Sequence, residues 1–178
     1  EQVQMRHDLQ IALRDQQFEL YYQPVVDALS GRIVSAEALI RWHHPRHGLL
    51  SPGCFIPVAE QTGQIIALGR WVLWQACQTQ AALLAKDERV VPVAVNISSL
   101  QFRRDGFLAE VQAILEETGL PAALLELEVT ESILLEGAEQ AIAMVGTLRE
   151  MGVTVTIDDF GTGFSSLGYL RDLPIHKV

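Results

Sequence analysis

Leu124-Leu125-Glu126-Leu127-Glu128-Val129-Thr130 alternates without a break, so an extended chain puts Leu125, Leu127 and Val129 on one side and Glu126, Glu128 and Thr130 on the other. The division recurs. Val91 to Ser98 sets Val91, Val93, Val95 and Ile97 against Pro92, Ala94, Asn96 and Ser98, and Val153 to Asp158 sets Val153, Val155 and Ile157 against Thr154, Thr156 and Asp158. Arg32 to Trp42 sets Val34, Ala36, Ala38, Ile40 and Trp42 against Ile33, Ser35, Glu37, Leu39 and Arg41. An open sheet covered by helices on both faces needs both faces apolar. One apolar face toward helices and one polar face toward a shared interior is what a barrel needs.

The segments between these runs have helical spacing, at about 64–85, 106–118 and 138–151. Gly119-Leu120-Pro121 and Gly152 supply stop signals for the last two. Strands joined by single helices form parallel βαβ units. Phe18 to Asp27 is aromatic and β-branched, and Ala28-Leu29-Ser30-Gly31 turns it into Arg32 to Trp42, which predicts an antiparallel hairpin. Met5 to Gln16 reads as a lead-in helix, so residues 1–16 are expected to arrive from an upstream region. Trp42 to Pro57 is turn-rich but too short to divide domains. The expected fold is α/β, a TIM-like (β/α) barrel with an antiparallel first strand, spread over one domain, 1–178. A closed barrel typically takes ~250 residues, so the chain is expected to be C-terminally incomplete, inactive by itself and prone to aggregate through an unpaired sheet edge.

A length of 178 residues with 49% hydrophobic content buries enough surface to fold without disulfides or a structural metal. Thirteen basic against 22 acidic side chains, a net charge of -9, argue against binding DNA or RNA through a basic surface. No apolar run approaches the ~20 residues that span a bilayer, so no membrane contact is expected of this segment. Cys54 and Cys77 form no CxxC pair and read as buried thiols. The chain starts at Glu1 and stops at Val178 inside an apolar run, as a piece of a longer protein would.

Barrel chemistry sits at the carboxyl ends of strands, where Asn96, Glu128, Asp158 and Asp159 fall; Glu37 and Arg41 lie in the second hairpin strand. Four carboxylates and an amide oxygen in one volume would repel unless they held protons or cations. An all-oxygen set favours Mg²⁺ or Mn²⁺ over zinc, and a pair of such ions suits phosphodiester displacement. Other clusters carry less. His43, His44 and His47 read as a surface turn around Pro45, Ser165 and Ser166 have no evident His partner, Trp71 and Trp74 belong to an outer helix, and Lys86 to Arg89 is a solvated turn.

Glu37-Ala38-Leu39 followed by Ile40-Arg41-Trp42 resembles the signature of the EAL-domain family of cyclic-di-GMP phosphodiesterases. The resemblance continues through Tyr21-Tyr22-Gln23-Pro24, Phe55-Ile56-Pro57-Val58-Ala59-Glu60, Asn96-Ile97-Ser98, Glu128-Val129-Thr130-Glu131 and the run Asp158 to Leu167. It implies metal-dependent hydrolysis of cyclic di-GMP to linear pGpG, with Glu37, Asn96, Glu128, Asp158 and Asp159 as ligands of Mg²⁺ or Mn²⁺. Catalytic weight would rest on Glu37, Glu128, Asp158 and Asp159. It further implies that Gln23, Leu39 and Arg41 bind substrate, Arg41 through phosphate, and that Glu131 anchors the loop after Asp159. A lysine, a glutamate and a glutamine of the site would follow Val178, Lys177 standing too early to replace the lysine. A homodimer, an upstream regulatory or GGDEF domain, and a cytoplasmic location with any membrane anchor elsewhere in the parent are also implied. The rival is a receptor that binds cyclic di-GMP without cleaving it.

Overall fold

The computed structural model describes residues 2–86, 89–135 and 137–158. The chain opens with α1 (Gln2–Arg14) and a hairpin of β1 (Phe18–Val26) and β2 (Ile33–His44). Asp27 makes the hairpin turn by accepting the Ser30 N–H on Oδ2 at 3.1 Å and the Gly31 N–H on its carbonyl at 2.8 Å. A short β3 (Gly48–Leu50) folds back on the end of β2, and a 3-10 turn at Pro52–Cys54 leads into α2 (Ile56–Thr62) and α3 (Ile65–Lys86). Strands and helices then alternate. They are β4 (Val93–Asn96), α4 (Ser99–Arg103), α5 (Phe107–Thr118), β5 (Leu125–Thr130), α6 (Ser132–Leu135), α7 (Ala138–Glu150) and β6 (Thr154–Asp158).

Among the described residues six strands share one mixed sheet in the order β1-β2-β4-β5-β6, with β3 on β2. β1 runs antiparallel to β2, whereas β2, β4, β5 and β6 are mutually parallel. The fold is thus α/β, a mixed sheet flanked by helices, with the antiparallel first strand that the hairpin predicts.

The two strand faces divide as the alternation requires. Val93, Val95, Leu125, Leu127, Val129, Val153 and Val155 are fully buried on the helix side, and each such side chain contributes about 1.5–3 kcal/mol. α3 meets them with Leu68, Val72 and Ala76, α5 with Val111 and Ile114, and α7 with Val145 and Leu148, each at three- or four-residue steps. The opposite face is graded in depth. Glu126 is buried, Glu128 half-buried and Thr130 exposed, so this face opens toward the carboxyl ends of the strands. Gly119 and Gly152 end their helices at φ 76° and 99°, where a side chain would be strained.

Several expectations need correction. The turn-rich stretch after Trp42 contains β3 and, with Phe55 to Glu60, α2; α4 and α6 also lie where no helix was expected. Cys54 is exposed, because the 3-10 turn that carries it buries none of its residues. Cys77 is buried as expected, and burial pushes its thiol up to about 12, so it stays protonated. His44 does not lie on a surface turn: it is 4% exposed. Its Nδ1 accepts the Arg46 and His47 backbone N–H groups at 3.0 and 3.2 Å, which puts the ring proton on Nε2, donated to Asp8 Oδ2 at 2.9 Å. That ring is closed to a metal. Among the described residues no helix is long and apolar enough to cross a membrane.

The Asp8 contact ties α1 to the end of β2, with Arg46 Nη2 donating to the same oxygen at 3.0 Å. Partial burial alone would raise the Asp8 pKa, but hydrogen bonds from His44 and Gln4 and the Arg46 charge outweigh it and hold the carboxyl below its ordinary value. A depressed folded pKa stabilises the fold above the unfolded carboxylate value of about 3.9, and that contribution fades as pH falls through the folded value. Asp8→Asn should therefore lower the urea midpoint at neutral pH, and the gap to the parent protein should narrow below about pH 4. A gap independent of pH would mean that the carboxylate's charge is not what anchors α1.

Candidate active site

β2 and β4 bring the first two expected residues together: Asn96 Nδ2 donates to Glu37 Oε2 at 3.0 Å. A carboxylate only accepts, so the amide nitrogen faces Glu37 and Oδ1 is left as the acceptor of that side chain. Asn96 is the register partner of Glu128, and Glu37 of Gln23. Two carboxylates and an amide thus occupy neighbouring strands at the open end of the polar face. Asp158 ends β6 with its Cα opposite Thr130, one further strand along. Asp159 and the residues through Leu167 lie outside the described residues, as do Ser165, Ser166 and Lys177.

Leu39 lines a cavity of about 420 Å³ together with Pro52, Glu60, Asn96, Ser98 and Glu128. A larger groove of about 900 Å³ runs between α3 and α5 past Trp71 and Trp74, but it holds none of the strand-end donors, so chemistry assigns the site to the smaller one. Arg41 lies two residues beyond Leu39 on the same face, its Cζ 5.3 Å from the centre of the Tyr21 ring. Glu131 is 5% exposed in the turn between β5 and α6. It directly follows Thr130, the last residue of β5.

Glu60 and Ser98 are site residues that pattern reading passes over, although both lie in quoted blocks. Ser98 Oγ donates to Glu60 Oε2 at 3.1 Å and accepts the Leu100 N–H at 3.2 Å as N-cap of α4. One hydroxyl therefore joins α2 to the segment that leaves Asn96. Serine at an N-cap is a local signal, but its contact with Glu60 spans 38 residues and is visible only in the fold.

The all-oxygen character of Glu37, Asn96 and Glu128 fits a hard divalent cation, while among the described residues no group of three or more His, Cys, Asp or Glu side chains is placed to hold a metal ion. The model of the EAL domain matches residues 6–178. The chain belongs to the EAL-domain family. The chain is 48% identical over its whole length to the cyclic di-GMP phosphodiesterase NbdA of Pseudomonas aeruginosa, covering 23% of that protein. It is 45% identical, again over the whole chain, to the bifunctional diguanylate cyclase/cyclic di-GMP phosphodiesterase MucR of the same organism, covering 26% of it. The chain thus spans about a quarter of these curated relatives. In structure it matches the c-di-GMP complex of the PaMucR phosphodiesterase with a TM-score of 0.93 at 45% identity, over 97% of this chain and 70% of that one. The EAL enzyme Bd1971, in its cAMP and cyclic-di-GMP bound form, matches with a TM-score of 0.88 at 35% identity, over 98% of this chain and 48% of that one.

Ser98→Ala removes the N-cap acceptor and the Glu60 partner together. It should lower stability by about 1 kcal/mol, the usual cost of losing such a cap, read as a fall in the urea midpoint. No change would mean that the α4 start and its link to α2 hold without that hydroxyl.

Proposed function

We propose that this EAL domain hydrolyses one phosphodiester bond of cyclic di-GMP to give linear pGpG. The contact of Asn96 with Glu37, beside Glu128 in register, carries the reading, supported by 45% identity to a phosphodiesterase solved with c-di-GMP. Two Mg²⁺ or Mn²⁺ ions would be held by Glu37, Asn96, Glu128, Asp158 and Asp159, and would supply positive charge at the phosphate and acidify the attacking water. Glu37 and Glu128 would contribute the charge that holds them. The bond from Asn96 Nδ2 to Glu37 fixes which amide atom is left to coordinate. Arg41 presents a planar set of N–H donors to phosphate oxygens. Leu39 and the apolar cavity wall, with Gln23 on the neighbouring strand, receive the nucleoside and limit the water around it. Water oxygen bonds to phosphorus, the bond from phosphorus to the ribose 3′-oxygen breaks, and that oxygen leaves with a proton.

The net charge of -9 does not oppose a dianionic ligand, because the ligand meets Arg41 and bound cations instead of the average surface. Barrel closure, Glu131 as anchor of the loop after Asp159, a homodimer and a cytoplasmic domain belong to the same proposal. An upstream regulatory or GGDEF partner is supported by the share of MucR, a bifunctional protein, that the chain covers.

The test is mass spectrometry of products from cyclic di-GMP with Mg²⁺ and with Mn²⁺, using the full reading frame. Glu37→Ala should abolish pGpG; full turnover by that variant would remove Glu37 from the ligand set. A parent protein that binds cyclic di-GMP in calorimetry with Ca²⁺ but forms no pGpG with either metal is a receptor, and the proposal of hydrolysis then fails.

A further inference from the structure

Arg41 lies on the strand face of Glu37 and Leu39 with its charge unspent. Its register partner across the hairpin is Glu19, the position from which an acidic side chain would ordinarily pair with it. Glu19 Oε1 instead meets His43 Nε2 at 2.6 Å. Among the described residues no carboxylate lies within ion-pair distance of Arg41. Two other contacts hold the guanidinium: Nη1 donates to the Ile40 carbonyl at 2.9 Å, and the Tyr21 ring lies below Cζ.

Tyr21 has no core duty that would demand an aromatic ring. It is 40% exposed and absent from the buried cluster, whereas its neighbour Tyr22 turns to the helix side beside Trp71 and Trp74. The Tyr21 Cα pairs with Leu39, two residues before Gln23, so its ring stands on the face that carries Glu37, Leu39 and Arg41.

We propose that Tyr21 is a positioning residue for Arg41, its ring face seating the guanidinium so that the remaining N–H donors are presented to a phosphodiester. A carboxylate could hold the arginine as firmly but would neutralise the charge a phosphate needs. An aromatic face attracts the cation through its quadrupole and leaves that charge in place. The inference deepens the reading of Arg41 as a phosphate contact and rests on it.

The experiment measures KM and kcat for cyclic di-GMP in the full-length protein bearing Tyr21→Leu, Tyr21→Met, Tyr21→Phe, Arg41→Ala, or Tyr21→Leu with Arg41→Ala. The two ring-free variants should raise KM about two- to five-fold, the worth of an exposed cation–π contact, with kcat changed by less than about two-fold. Tyr21→Phe restores the ring face and the low KM. In the Arg41→Ala background Tyr21→Leu adds nothing further. If Arg41→Ala raises KM and neither ring-free variant does, this inference is overturned while the reading of Arg41 stands. An equal rise in both backgrounds also overturns it, because Tyr21 then acts without Arg41. Arg41→Ala with an unchanged KM overturns the reading of Arg41 and this inference with it.

Discussion

Parallel pairing of β4 with β5 is the constraint on which the site depends, because it fixes which side chains share a face. With Val93 opposite Leu125 and Val95 opposite Leu127, Asn96 has to meet Glu128. A slip of one residue in β5 would turn Leu125, Leu127 and Val129 out of the core and push Glu126 and Glu128 among the helices. An unpaired carboxylate there costs several kcal/mol, on top of the lost aliphatic burial. The apolar residues that stabilise the sheet therefore also align the donors, without direct contact between the two sets.

Depth along the polar face then sorts side chains by use. Glu126 is closed off, Glu128 is reachable, and on β4 Ala94 is buried while Asn96 is exposed. On β4 and β5 the exposed polar side chains of this face, Asn96 and Thr130, stand at the carboxyl ends. The two residues that follow Asn96 bring the chain to Ser98, whose hydroxyl engages both α2 and the start of α4. β1 and β2 add Tyr21, Leu39 and Arg41 from the other side. The candidate site draws on strand ends and one hairpin, and Ser98 links it to α2 and to the first turn of α4.

Much of this was legible in the chain because it is periodic or locally encoded. Strand faces follow from alternation, and Gly119 and Gly152 terminate α5 and α7 through backbone conformations that side chains resist. Asn96 and Glu128 stand out as polar residues at the ends of apolar strands. What escaped was short or non-local. α4 and α6 have five and four residues, too few to display a helical period, and α2 begins at a proline-containing turn that reads equally well as loop. The burial of His44 depends on Asp8, 36 residues earlier, and no window around Pro45 contains that partner. Cys54 escaped for the opposite reason: a small apolar side chain says nothing of which side of a 3-10 turn it occupies.

The antiparallel course of β1 separates the hairpin's tip from its function. Tyr21 and Gln23 lie in the half of β1 that pairs with Glu37, Leu39 and Arg41, while the turn at Asp27 to Gly31 projects beyond the last pair, with Leu29 98% exposed. Residues added at that turn lengthen a two-stranded ribbon and leave the register nearer α1 intact. A single residue added within β1 would exchange Tyr21 for Tyr22 on the face that carries Glu37, Leu39 and Arg41. The same hairpin is thus permissive to insertion at one end and intolerant of it only a few residues away.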